Sequence, residues 1–113
     1  MSKYMQIEIR ISPFFEKPFQ KQFPNISDLF RRMSYREAIQ EERSLYALTD
    51  YLVSLYGDPK TPVEMKNRLL PHVRKIRALK DQAREKFLVR DLNGLDQLLY
   101  QIEDGFEELE ASL

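Results

Sequence analysis

From Tyr4 to Ser12 the side chains alternate, with Met5, Ile7, Ile9 and Ile11 on one side and Gln6, Glu8, Arg10 and Ser12 on the other. A period of two predicts a half-buried strand. A strand needs a hydrogen-bonding neighbour, and the local candidate is Phe19 to Phe23, where Phe19, Lys21 and Phe23 share one face. The pair would make a loose hairpin around Pro13 to Pro18; the alternative is pairing with another chain. Between Pro13 and Pro24 lie Phe14, Phe15, Phe19 and Phe23, with Pro18 among them. The prolines exclude a continuous helix here, so the rings either cap the core of the following helices or form an exposed docking segment.

Beyond this connector the period changes to that of a helix. A short helix is expected from Asn25 or Ser27 through Leu29, Phe30 and Met33. Ser34 and Glu37 then have the spacing of a capping box, in which hydroxyl and carboxylate each satisfy a backbone N–H at a helix start. Gly57 and Pro59 supply the matching stop, Gly57 by adopting the left-handed conformation. The spacing therefore predicts one helix over Tyr35 to Tyr56. Its second half, with Leu45, Leu48, Tyr51, Leu52, Val53, Leu55 and Tyr56, is apolar nearly all the way round and belongs in the middle of the fold.

Thr61, Pro62 and Glu64 repeat the start signal, with Thr61 as N-cap and proline at the first helical position. Leu69, Val73, Ile76, Ala83 and Phe87 carry a third helix to about Arg90, with a kink expected near Asn67 to Leu70 because Pro71 removes a hydrogen bond. Asp91 is placed to cap a fourth helix whose stripe is Leu92, Leu95, Leu99, Ile102, Phe106, Leu109 and Leu113. The short connection makes these two helices antiparallel neighbours. The fold class is mainly α: a small bundle of three main helices plus a short one, closed by an antiparallel C-terminal hairpin and preceded by a β-strand or short hairpin. Residues 1–113 form a single domain, with strand and aromatic, proline-rich connector in 1–24 and the bundle in 25–113.

Composition narrows the chemistry. A chain of 113 residues with 42% hydrophobic and 32% charged residues is one folding domain. Its 18 basic and 18 acidic side chains cancel, so no global field draws it to nucleic acid or to an anionic membrane. The absence of cysteine removes thiolate nucleophiles, disulfides and thiolate metal sites. No apolar run approaches the roughly 20 residues of a membrane span, and charges in Met1 to Arg10 stand where a signal peptide is apolar; the expected location is cytoplasmic, with no membrane partner.

The search for a reactive centre ends in negatives. His72 is the only histidine, and no serine or carboxylate has a spacing that would orient it as a base. The glycines at 57, 94 and 105 are scattered, so no phosphate-cradling loop exists. Glu103 with Glu107, and Asp104 with Glu108, pair on helix faces, yet one helix offers too few oxygens for a hard cation. No catalytic, cofactor-binding or metal-binding residue is assigned, no cofactor is expected, and the chain reads as a non-enzyme.

Charge is nevertheless segregated. Lys66 to Lys86 carries eight basic residues against Asp81 and Glu85, while Asp91 to Glu110 carries seven acids and no base. On the third helix Arg74, Arg77 and Arg84 fall on one flank of the apolar stripe and Arg68, Lys75 and Lys86 on the other, as residues bordering a helix–helix seam do. Asp96, Glu103, Glu107 and Glu110 border one side of the fourth stripe, so they can face one basic flank and leave the second to an acidic partner. Gly105 costs about 1 kcal/mol in helix propensity, which the site either tolerates or repays by letting another backbone approach.

The leading expectation is a protein–protein interaction module of the adaptor, assembly-factor or chaperone kind, self-associating through its strand or helices. Its partner-binding candidates are Phe14, Phe15, Phe19, Phe23, Arg68, Lys75 and Lys86. The competing expectation is a nucleic-acid-binding regulator that uses the basic helix 66–86, with Arg74, Lys75 and Arg77 on phosphate.

Overall fold

Six helices are built from residues 9–113, the part of the chain that the computed structural model describes. They are α1 (Phe19–Gln22), α2 (Pro24–Arg32), α3 (Glu37–Gln40), α4 (Leu45–Gly57), α5 (Val63–Leu88) and α6 (Leu92–Ser112). The long pair α5 and α6 packs as the expected C-terminal hairpin, α4 lies against both, and α2 leans on α6. At about 1.5 Å per residue, α5 alone accounts for most of the 53 Å length of the molecule.

The expected N-terminal hairpin is not present among the described residues. The strand expectation falls mostly on residues 1–8, which lie outside them; Ile9 to Ser12 are described and form no strand, and its proposed mate at Phe19–Phe23 is the turn of helix α1 followed by Phe23. Pro18 starts that turn, since Lys21 and Gln22 both donate N–H bonds to its carbonyl.

The single helix expected over Tyr35 to Tyr56 is two helices. Ser34 does not cap it: with φ at 63° Ser34 is the left-handed residue that closes α2, and the Tyr35 N–H returns to the Phe30 carbonyl at 2.7 Å. The working N-cap is Ser44, whose Oγ accepts from the Ala47 N–H at 3.1 Å and starts α4. Between α3 and α4 the run Glu41–Glu42–Arg43 has no apolar side chain to bury, so packing does nothing to keep the helix continuous.

The end of α4 also differs from expectation. Gly57 is helical and does not take the left-handed conformation. The closure comes from Thr61, whose hydroxyl donates to the Leu55 carbonyl at 2.6 Å; Thr61 therefore finishes α4 instead of capping α5. Asp58 ties this corner to the α2–α3 turn by accepting from the Tyr35 hydroxyl at 2.9 Å. Pro62 is the N-cap of α5, one position before the first helical place expected for it, and α5 runs through Pro71 without a break. Asn67 and Pro71 are both on the solvent side, where water can take the carbonyl that loses its N–H. Arg90, with φ at 61°, closes α5, and Asp91 caps α6 by accepting from the Gly94 N–H at 3.0 Å.

The core is the seam where the stripes meet: Leu69, Val73, Ile76, Leu79 and Ala83 of α5 against Leu95, Leu98, Ile102, Phe106 and Leu109 of α6, covered by Leu48, Leu52 and Leu55 of α4. Ile26, Leu29 and Phe30 of α2 complete it. Gly105 sits in this seam, and a Cβ there would lie 2.8 Å from Cγ1 of Ile76. The close approach is by a side chain of α5, not by backbone.

Candidate functional site

The four phenylalanines of the connector divide between the two roles open to them. Phe23 is core, packed edge-on against Phe106 at 6.2 Å. Phe19 lies 5.3 Å from Phe23, and Phe15 meets Phe19 edge-on at 5.9 Å; both are half-buried. These rings form a file from the interior outward, and Phe14 stands beyond it with 89% of its surface exposed. The file exists because the prolines keep the connector from coiling into one helix, leaving its rings free to reach inward in turn.

Two adjoining clefts open where this file reaches the surface. One, of about 150 Å³, lies between Ile11 to Phe15, the start of α4 at Ser44 to Tyr46, and Leu99, Ile102 and Glu103 of α6. The second, of about 470 Å³, has Phe14, Phe15 and Phe23 on one side, Leu45 beside them, and Tyr100, Glu103 and Glu107 of α6 opposite. Glu16 and Gln22 complete its edge. Tyr100 is 61% exposed. None of Glu16, Glu103 and Glu107 is in an ion pair among the described residues. Partial burial, with repulsion from Glu107, Asp104 and Asp96, holds the Glu103 carboxyl above its ordinary value of 4.5. The site therefore joins uncovered aromatic surface to uncompensated negative charge.

This placement corrects the expected pairing of helix flanks. Asp96, Glu103 and Glu107 face the connector side of α6, not α5, and Glu110 serves α2. Its carboxylate accepts the Asn25 and Ile26 N–H groups at 2.9 and 3.0 Å. The ion pair that does cross the hairpin joins Lys75 to Glu108 at 3.0 Å. Lys86 pairs with Asp91 at 3.3 Å across the turn. Lys75 and Lys86 are thus engaged within the chain, while Arg68 is exposed on α5.

The basic helix is likewise divided. Arg74 and Arg77 are exposed and in no ion pair among the described residues, but Lys75 is turned to α6. Lys80 pairs with Asp50 at 2.9 Å and lies over the Tyr46 ring at 4.4 Å. Arg77 and Arg84 border the groove between α4 and α5, together with Asp50 and Asp81. Acids so placed weaken the field that a phosphate backbone would meet. His72 is half-buried on α5 without a hydrogen-bonding or acidic partner among the described residues. No group of three or more His, Asp or Glu side chains that could hold a metal ion occurs among the described residues, and no helix there is long and apolar enough to cross a membrane.

No known protein family, curated protein or solved structure matches the chain. The site is consequently read from its own chemistry. Sequence reasoning names the rings as docking candidates, reads Glu103 and Glu107 only as a helix flank, and does not single out Tyr100, Leu45 or Glu16 for the site. Tyr100 had a usable signal: it is a large aromatic off the Leu95–Leu99–Ile102 stripe of an amphipathic helix, where a polar residue is expected.

Proposed function

We propose that this protein is a non-enzymatic interaction module that docks another protein on the face formed by the connector, the start of α4 and α6. The observation that carries the reading is the cleft in which exposed Phe14 and Tyr100 flank an apolar floor ending in the buried ring of Phe23. Rings left in water at the mouth of a cleft are the usual makings of an interface anchor, because burying them contributes most of the gain on association.

The test is affinity capture from the native host with the wild-type chain and with a Phe14→Ser/Tyr100→Ser double variant, followed by mass spectrometry. Both substitutions lie on exposed positions, so the variant should keep its helical circular dichroism. The expected result is a stoichiometric partner retained by the wild type and lost by the variant. Equal recovery by both chains, or no partner together with a monomer in sedimentation, would refute the reading. A second reading, nucleic-acid binding through α5, is favoured only by the uncompensated Arg74 and Arg77. Salt-dependent retention of DNA or RNA that disappears when Arg74, Lys75 and Arg77 become alanine would put it ahead.

A further inference from the structure

The cleft between Phe14 and Tyr100 has a sign as well as a shape. Three carboxylates, Glu16, Glu103 and Glu107, line it together with the rings, and among the described residues no lysine or arginine does. An anionic ligand, whether phosphate, nucleic acid or an acidic lipid headgroup, would meet like charge there from every side. A purely apolar ligand would gain the rings but would bury carboxylates without compensation. What satisfies both surfaces is a long side chain with an apolar stem and a cationic end. Its stem would lie along Leu45 and the rings, and its cation would reach Glu103 or Glu107.

We propose that this cleft binds a lysine or arginine side chain of a partner protein, presented beside a large apolar residue that covers Phe14. The inference rests on the docking reading above and makes it specific. Charge complementarity selects the occupant. Glu103 supports the choice in a second way, since its carboxyl is held above its ordinary value by burial and by neighbouring acids. A cation seated beside it opposes the repulsion from the neighbouring acids. Among the described residues no cation of the chain itself lines the cleft or pairs with Glu16, Glu103 or Glu107.

The experiment is selection of a random heptapeptide library displayed on phage against the intact chain, then fluorescence anisotropy with the most enriched peptide. The expected result is enrichment of lysine or arginine next to Leu, Ile, Met or an aromatic residue. Binding should weaken with added salt and fall about tenfold or more in a Glu103→Gln/Glu107→Gln variant. That variant keeps side-chain volume, and an unchanged urea midpoint would show that the fold is intact. Replacing the basic residue of the peptide by norleucine should give a similar loss. Enrichment of apolar or acidic peptides whose binding requires Phe14 and Tyr100 but ignores the two glutamates would overturn this inference and leave the docking reading standing. Peptides whose binding ignores Phe14 and Tyr100, or no enrichment at all, would overturn both.

Discussion

Gly105 faces Ile76 in the seam between the two long helices, and the contact decides what a methyl group would do there. A Cβ on residue 105 would sit 2.8 Å from Cγ1 of Ile76. That atom is not a flexible end, because a β-branched side chain in a helix is confined to essentially one χ1 well. Alanine would contribute about 1 kcal/mol of helix propensity, while overpacking costs about 1–3 kcal/mol. Gly105→Ala should therefore destabilise the protein by roughly 1 kcal/mol net. In an Ile76→Ala background the obstacle is gone and the same substitution should stabilise. Urea unfolding of the four chains of this cycle checks the reversal of sign; a destabilisation of equal size in both backgrounds would show that Ile76 is not the obstacle. Ser27 gives the opposite lesson. Its Oγ is fully buried in α2 without a hydrogen-bond partner among the described residues. Removing an unsatisfied hydroxyl relieves a desolvation cost, so Ser27→Ala should raise stability by about 0.5–1 kcal/mol in the same assay.

At the scale of elements, the joint between α2 and α6 is the most exposed to test. Pro24 opens α2 with no N–H to satisfy, and the next two N–H groups find their acceptor on Glu110, 85 and 84 residues away. The Asn25 side chain returns a bond to the Glu110 carbonyl at 3.3 Å, which serves the end of α6. A carboxylate at a helix N-terminus also meets the favourable end of the dipole. Glu110→Ala should cost about 1–2 kcal/mol, the range for loss of a helix cap, and should speed amide exchange at Asn25 and Ile26 before it does so in α5. Unchanged exchange at those two amides would refute the clamp. At the other end of α6, the Gly94 N–H, then Lys86, hold the Asp91 carboxyl below its ordinary value of 3.8. A carboxyl depressed in the folded state contributes stability that is fully present above 3.8 and is lost as pH falls through the lower, folded value. The start of α6 should thus loosen only below that pH, as seen by the Gly94 amide resonance, and an Asp91→Asn chain should lose the transition. The same two joints explain what the sequence makes legible. Asp91 could be read because a cap and its first turn are local. Ser34 with Glu37 imitates such a start, yet Ser34 is used to end α2, a choice made by the packing of Phe30 and Tyr35. Glu110 could not have been read at all, since its partner is at the far end of the chain.

For the whole molecule, cohesion and the proposed recognition rest on different forces. The fold is held mainly by apolar stripes packed against one another, and the cross-hairpin ion pair Lys75–Glu108 is half-exposed on both sides. Exposed pairs are worth about 0–1 kcal/mol and are screened by salt. The charges that periodicity placed beside the stripes were legible as a face, but not which neighbour the face would meet. Asp96, Glu103 and Glu107 border the stripe as read, and they look toward the connector and away from the basic helix because α5 packs on the other side of α6. The connector's rings were legible in kind, whereas the gradient from buried Phe23 to exposed Phe14 depends on where Phe106 lies. Salt separates the two forces. Shortening the Debye length from about 10 Å to about 3 Å by raising ionic strength to about 1 M should shift the urea midpoint little, because burial of apolar surface is not weakened by charge screening. Docking of a basic peptide in the cleft should be lost over the same range, because its selectivity is carried by carboxylates at the mouth. A parallel titration of one sample, by circular dichroism for the fold and anisotropy for the peptide, gives both curves. If the two fell together, the charges would be holding the helices in place, and the division between an apolar scaffold and a charged aromatic face would be wrong.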